Sequence, residues 1–151
     1  MMTEKDTISF ECRLTCTLDK LIAGFNVQLF RALSPAFPAV RILRFDGVKK
    51  DDLVELELNF FFFKWRWVSR IISSGYRENG FVFIDYGIEL PPFLSYWEHQ
   101  HILESRTDGS LIRDEITFSP GRGWPFWLVR LMIRIQMQPR AVIYKRWFEA
   151  V

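Results

Sequence analysis

Two alternating segments near the middle of the chain constrain the fold most, because they set ionisable groups along sheet faces. Tyr96-Trp97-Glu98-His99-Gln100-His101-Ile102 holds both histidines of the protein. Successive side chains of a strand alternate faces, so Trp97, His99 and His101 share one. In residues 111–118, Ile112, Asp114, Ile116 and Phe118 share one face. Asp108-Gly109 between the segments is a hairpin signal. Such a hairpin brings a carboxylate close to two imidazoles. Asp114 interrupts an apolar alternation, so it is expected buried or half-buried and hydrogen-bonded to His99, His101 or a neighbouring polar group.

The rest of the chain reads in the same terms. Residues 7–17 alternate without error, with Ile8, Phe10, Cys12, Leu14 and Cys16 on the inner side. The period then changes: Leu18, Leu21, Ile22, Phe25, Leu29 and Leu33 recur at helical spacing, with Thr17 as N-cap. Gly24 predicts a split into two short helices, and Ser34-Pro35-Ala36-Phe37-Pro38 ends them. Six further strands are predicted over 40–45, 53–62, 65–73, 81–88, 95–104 and 110–118. A break is expected at Ser73-Ser74-Gly75, and Phe60-Phe61-Phe62-Phe63 is expected within a bulged central strand. The rival reading of that run is an exposed apolar patch. After Gly121-Arg122-Gly123, Pro125 suits the first turn of a helix. Arg130, Arg134, Gln138, Ala141 and Lys145 make a polar stripe there, opposite Leu128, Leu131, Met132, Ile135, Val142 and Ile143. Pro139 predicts a kink or two collinear pieces.

Length and composition set limits. The 151 residues suit a single domain over 1–151, and 49% are hydrophobic, with fifteen Phe and six Trp. That aromatic excess suits a dense core or a lined cavity. A net charge of +2 is too small to imply nucleic acid, so none is expected as a partner. No apolar run follows Met1-Met2-Thr3-Glu4-Lys5-Asp6, so no secretory leader is expected and the cytoplasm is the expected location. The most apolar stretch, 125–135, is broken by Arg130 and Arg134 and falls short of the ~20 residues of a membrane span. The basic final helix leaves peripheral membrane contact open. Cys12 and Cys16 on one strand lie roughly 13 Å apart, too far to bridge, and read as reduced thiols.

The predicted class is α+β: a strand, two short helices, six more strands and a long amphipathic helix. A curved antiparallel sheet of about seven strands, wrapped around that helix, leaves a wedge between them. In this order of elements the chain resembles the START-like superfamily, also called SRPBCC or helix-grip proteins. It is most similar to a small bacterial branch related to polyketide cyclases and lipid-transport domains. The likeness is sharpest at Asp85, Leu90-Pro91-Pro92-Phe93, Trp97-Glu98-His99-Gln100-His101 and Asp114. Pro91 stands where that branch usually has glycine, and Met137-Gln138-Pro139-Arg140 replaces its aromatic-x-x-Arg. The resemblance implies a cavity for an apolar small molecule and no particular reaction.

The expected ligand-binding residues are Phe60, Trp97, Ile112, Ile116, Met132 and Ile135, with His99, His101 and Asp114 as polar contacts. Binding of a lipid-, polyketide- or sterol-like molecule is the leading reading. The alternatives are a cyclase, aromatase or dehydratase with His99 or His101 as general base and Asp114 beside it, or a non-catalytic interaction module with a stable partner; the chain itself is expected as a monomer or homodimer. No cofactor is expected. Nor is a metal, because two histidines need a third protein ligand and Asp85, Glu98 or Asp114 are mere nominees. There is no Gly-x-Ser-x-Gly, phosphate loop or dinucleotide fingerprint.

Overall fold

A computed structural model describes residues 4–35 and 37–149. Ala36, within the expected helix breaker, and residues 1–3 of the opening segment lie outside the described residues. The elements follow in the order β1 (Asp6–Leu14), α1 (Leu18–Gly24), α2 (Val27–Leu33), β2 (Ala39–Phe45), β3 (Leu53–Asn59), β4 (Lys64–Arg77), β5 (Gly80–Glu89), β6 (Leu94–Arg106), β7 (Gly109–Pro120), α3 (Phe126–Met137) and α4 (Arg140–Glu149). All seven strands form one antiparallel sheet in the order β1-β7-β6-β5-β4-β3-β2. The first strand thus closes beside the last, and every other neighbour is a hairpin partner. No described helix is long and apolar enough to cross a membrane.

The short helices form for local reasons. The Thr17 hydroxyl accepts from the Lys20 amide at 3.3 Å and opens α1. Asn26 Oδ1 accepts from the Leu29 amide at 3.0 Å and opens α2. Each cap satisfies a donor that the first turn leaves free. Gly24 ends α1 where a Cβ would overlap the Phe148 ring, so its small size lets α1 press against α4.

Three expectations are corrected. β4 runs unbroken through Ser73-Ser74-Gly75, because pairing with Phe83, Val82 and Ile84 carries these residues in spite of their weak strand preference. The phenylalanine run is no central strand: β3 stops at Asn59, whose Oδ1 accepts from the Phe61 amide at 2.9 Å. Phe61 turns through φ 69°, and the Phe60 amide reaches the Phe63 carbonyl at 2.9 Å. Phe61 and Phe62 are left 83% and 95% exposed on a hairpin tip.

The third correction concerns the C-terminal stripe. The residues turned inward are Val129, Ile133, Met137, Tyr144 and Phe148, while Leu131, Ile135 and Val142 are exposed. The buried line is rotated by about one position from the expected one, since a helical stripe lies where packing is available and not where hydropathy alone is highest. The two pieces foreseen at Pro139 are present: α3 ends at Met137 and α4 starts at Arg140. Gln138 keeps helical dihedrals (φ −56°, ψ −41°) across the join. Arg130, part of the expected solvated stripe, is in fact tied to Asp6 at the start of β1.

Candidate functional site

The inner face of the sheet carries two apolar clusters. One gathers Leu21, Leu29, Ile71, Phe83, Leu103 and Ile112 with Tyr144 and Phe148 of α4. The other gathers Leu58, Trp97, Ile116 and Phe118 with Val129, Ile133 and Met137 of α3. Between them runs a polar layer one residue deep. Stepping two places along β6 goes from Trp97 through His99 and His101 to Leu103; β7 goes from Ile116 through Asp114 to Ile112; β5 supplies Asp85 next to Phe83. Strand periodicity puts all of these side chains on one face. Register does the rest, pairing Asp85 with His99 and His101 with Asp114.

The layer is closely knit. His99 Nε2 lies 2.8 Å from Asp114 Oδ1, and His101 Nε2 lies 2.8 Å from Asp85 Oδ2. The two imidazoles stack with centroids 3.8 Å apart, and His101 stacks on Phe83 at 4.2 Å. The Trp97 indole N–H donates to Asp85 Oδ1 at 3.1 Å, and the Tyr144 hydroxyl donates to Asp114 Oδ2 at 3.2 Å. His101 Nδ1 faces Asp114 Oδ1 at 3.4 Å without a well-aligned bond. His99, His101 and Asp114 are almost completely buried.

Burial penalises every charge here, so the charge pattern is set by which partner outweighs it. Burial would raise Asp114, but hydrogen bonds from His101 and His99 hold it far below the usual carboxylate range. Asp85 is likewise lowered, against burial, by the His101 hydrogen bond and the nearby imidazole charge. Burial and the neighbouring His101 charge push His99 down, whereas Asp114 and Asp85 overcome burial to raise His101. Two carboxylates, one imidazolium, one neutral imidazole and the nearby Arg140 guanidinium therefore leave the layer close to neutral. A charge-balanced layer of this kind is tolerable inside a core, where an unpaired charge is not.

Above this layer lies a cavity of about 300 Å³. Its walls come from β2, β3 and β4 (Val40, Leu56, Trp67), from the end of α2 and the segment after it (Leu33, Pro35, Phe37) and from the second half of α3 (Met132, Ile133, Met137). Asp85, His99, His101 and Arg140 form its polar end. Of the expected contacts, Phe60, Trp97, His99, His101, Met132 and Ile135 line the cavity. Ile112, Asp114 and Ile116 lie beneath it, packed within the two core clusters and the polar layer. Asp114 acts from below, through the histidines it holds.

Asp85, His99 and His101 each place one ligand-type atom within 4.8 Å of the others, which is metal-ligand spacing. A cation would have to displace the 2.8 Å His101–Asp85 bond to enter and would sit in a layer that already holds a guanidinium. Arg140 and Tyr144 were not singled out from sequence as site residues. Their signal is in the spacing: they continue the Val129, Ile133, Met137 stripe at three- and four-residue steps, past Pro139.

The whole architecture has counterparts among solved proteins. The chain is similar to Ara h 8.0201 with a TM-score of 0.67 at 16% identity, covering 98% of this chain and 100% of that one. It is similar to the Zhui aromatase/cyclase of a Streptomyces species with a TM-score of 0.67 at 12% identity, over 93% and 88% of the two chains. Truncated norcoclaurine synthase from Thalictrum flavum gives 0.68 at 14% identity, over 97% and 94%. This chain has the helix-grip fold. No family model matches the sequence, and no curated protein matches it. The likeness is thus one of fold, and it spans nearly the whole chain.

Proposed function

We propose that this protein binds an apolar or amphipathic small molecule in the cavity between the sheet and α3. The observation that carries the reading is the cavity itself: aromatic and aliphatic walls ending at one buried, charge-balanced polar layer. Few convergent polar groups in an otherwise apolar enclosure are what orient a small ligand. The fold neighbours include an aromatase/cyclase and norcoclaurine synthase, which fits a helix-grip cavity used for cyclic or aromatic molecules.

The second reading is an enzyme of cyclase or dehydratase type with a histidine as base, and it is favoured by His99 and His101 both reaching the cavity wall. A general base needs a free nitrogen within hydrogen-bond reach of substrate. Here the Nε2 atoms are each engaged by a carboxylate at 2.8 Å, and the Nδ1 atoms also face carboxylates, His101 towards Asp114 at 3.4 Å and His99 towards Asp85 at 3.8 Å, which supports binding over proton abstraction.

Native mass spectrometry of protein purified from cells tests the binding reading: a retained apolar molecule is expected. Leu56→Trp, which places an indole in the wall beside its cross-strand neighbour Trp67, should exclude that molecule while the protein stays folded. Retention of an identical load by the wild type and Leu56→Trp would count against a cavity site.

A further inference from the structure

Arg140 lies close to Asp114, Asp85 and Tyr144, yet it leaves part of its guanidinium unbonded. Its Nε and Nη1 atoms are shielded from solvent and have no hydrogen-bond partner among the described residues. The carboxylates nearby are already committed, Asp85 to His101 and Asp114 to His99, both at 2.8 Å. A guanidinium offers five donors in a planar fork, and leaving buried donors unmade is expensive. The side chain belongs to the cavity wall, beside Gln136 and Met137. It is also the first residue of α4, whose opening turn carries no acidic side chain to neutralise it. The site therefore presents unused cationic donors at the polar end of an apolar enclosure.

We propose that the ligand is an apolar molecule ending in a carboxylate, and that Arg140 binds this head group. The assignment rests on the reading of the cavity as a binding site and names its ligand class. A carboxylate matches a guanidinium in charge and in planar geometry, and it completes the donors that the protein leaves open. The apolar remainder lies against the walls formed by Leu56, Trp67 and Met132. A metal cation is the opposite choice, and the positive charge of Arg140 opposes it at the Asp85, His99 and His101 trio. The imidazole–carboxylate layer keeps its own hydrogen bonds, because each carboxylate is already held by an imidazole at 2.8 Å.

Decanoate and 1-decanol, which share a chain and differ at the head group, separate the two levels of the argument. Both are titrated against the full chain at neutral pH by calorimetry, in the wild type, Arg140→Met and Arg140→Lys. The wild type should bind decanoate roughly tenfold or more tighter than decanol, as a charged hydrogen bond in a shielded site implies. Arg140→Met should bind the two alike, with decanol affinity kept within about threefold of wild type because the apolar walls are untouched. Arg140→Lys keeps the charge without the fork and should retain part of the preference, which covers the case in which Arg140→Met fails to fold. Equal binding of both probes by the wild type, or a preference that survives in Arg140→Met, overturns the carboxylate assignment and leaves the cavity reading standing. Binding of neither probe overturns both.

Discussion

His99 Nε2 and Asp114 Oδ1 lie 2.8 Å apart with both side chains almost wholly buried, on adjacent strands of the inner sheet face. Asp114 also takes the Tyr144 hydroxyl at 3.2 Å, so one carboxylate ties β6 and β7 to α4. This makes Asp114 a clamp between sheet and helix and not a wall of the cavity.

Removing that carboxylate should be costly in a way that depends on the replacement. Asp114→Leu strands the His99 and Tyr144 donors and leaves His101 with one counter-charge fewer, and should cost about 3–5 kcal/mol. Asp114→Asn keeps a carbonyl acceptor and should cost less, about 1–2 kcal/mol. Urea unfolding at neutral pH measures both, and equal losses would contradict the clamp.

Stability should peak near pH 6.5. His99 is lowered, so its contribution is present above the unfolded imidazole value of about 6.5 and is lost as pH falls through the folded value. His101 is raised, so its contribution is present below about 6.5 and is lost as pH rises through the folded value. Asp85 and Asp114, both lowered, add a further loss once pH drops below their unfolded value of about 3.9. Unfolding midpoints from pH 3 to 9 should show this maximum, and His101→Gln should abolish the alkaline decline. A steady rise from pH 6 to 9 in the wild type would be inconsistent with a raised His101.

Gly121 has its amide on the Phe93 carbonyl at 3.0 Å, and a Cβ at that position would overlap the Pro92 carbonyl oxygen. Gly121→Ala must displace the Pro91-Pro92-Phe93 turn that roofs Trp65 and Trp124, with ring contacts at 5.8 and 5.9 Å. A loss of about 1–3 kcal/mol is expected from the forced backbone shift. A melting temperature equal to wild type would show that the turn yields freely.

Phe62 is 95% exposed at the β3–β4 hairpin tip. Phe62→Ser should change stability by no more than about 0.5 kcal/mol, while lowering self-association at high concentration. Light scattering and denaturant midpoints check both halves; a large stability loss would mean that the ring is buried after all.

Local periodicity by itself determined the element order, the paired short helices with Thr17 as cap, and the placing of His99, His101 and Asp114 on facing strands. Those features follow from alternation, helical spacing and capping, which act over a few residues. The Asp85 contact was legible only in part, since it lies twelve residues from Trp97 and depends on the β5–β6 register. Three matters were decided by the tertiary structure alone. β4 continues through Ser73-Ser74-Gly75 because its neighbours supply the pairing. The buried stripe of α3 and α4 is Val129, Ile133, Met137, Tyr144 and Phe148 because the sheet selects which face of a helix it covers. Arg140 faces a cavity instead of solvent for the same reason: hydropathy assigns an arginine to water, and only the helix's docked rotation turns it inward.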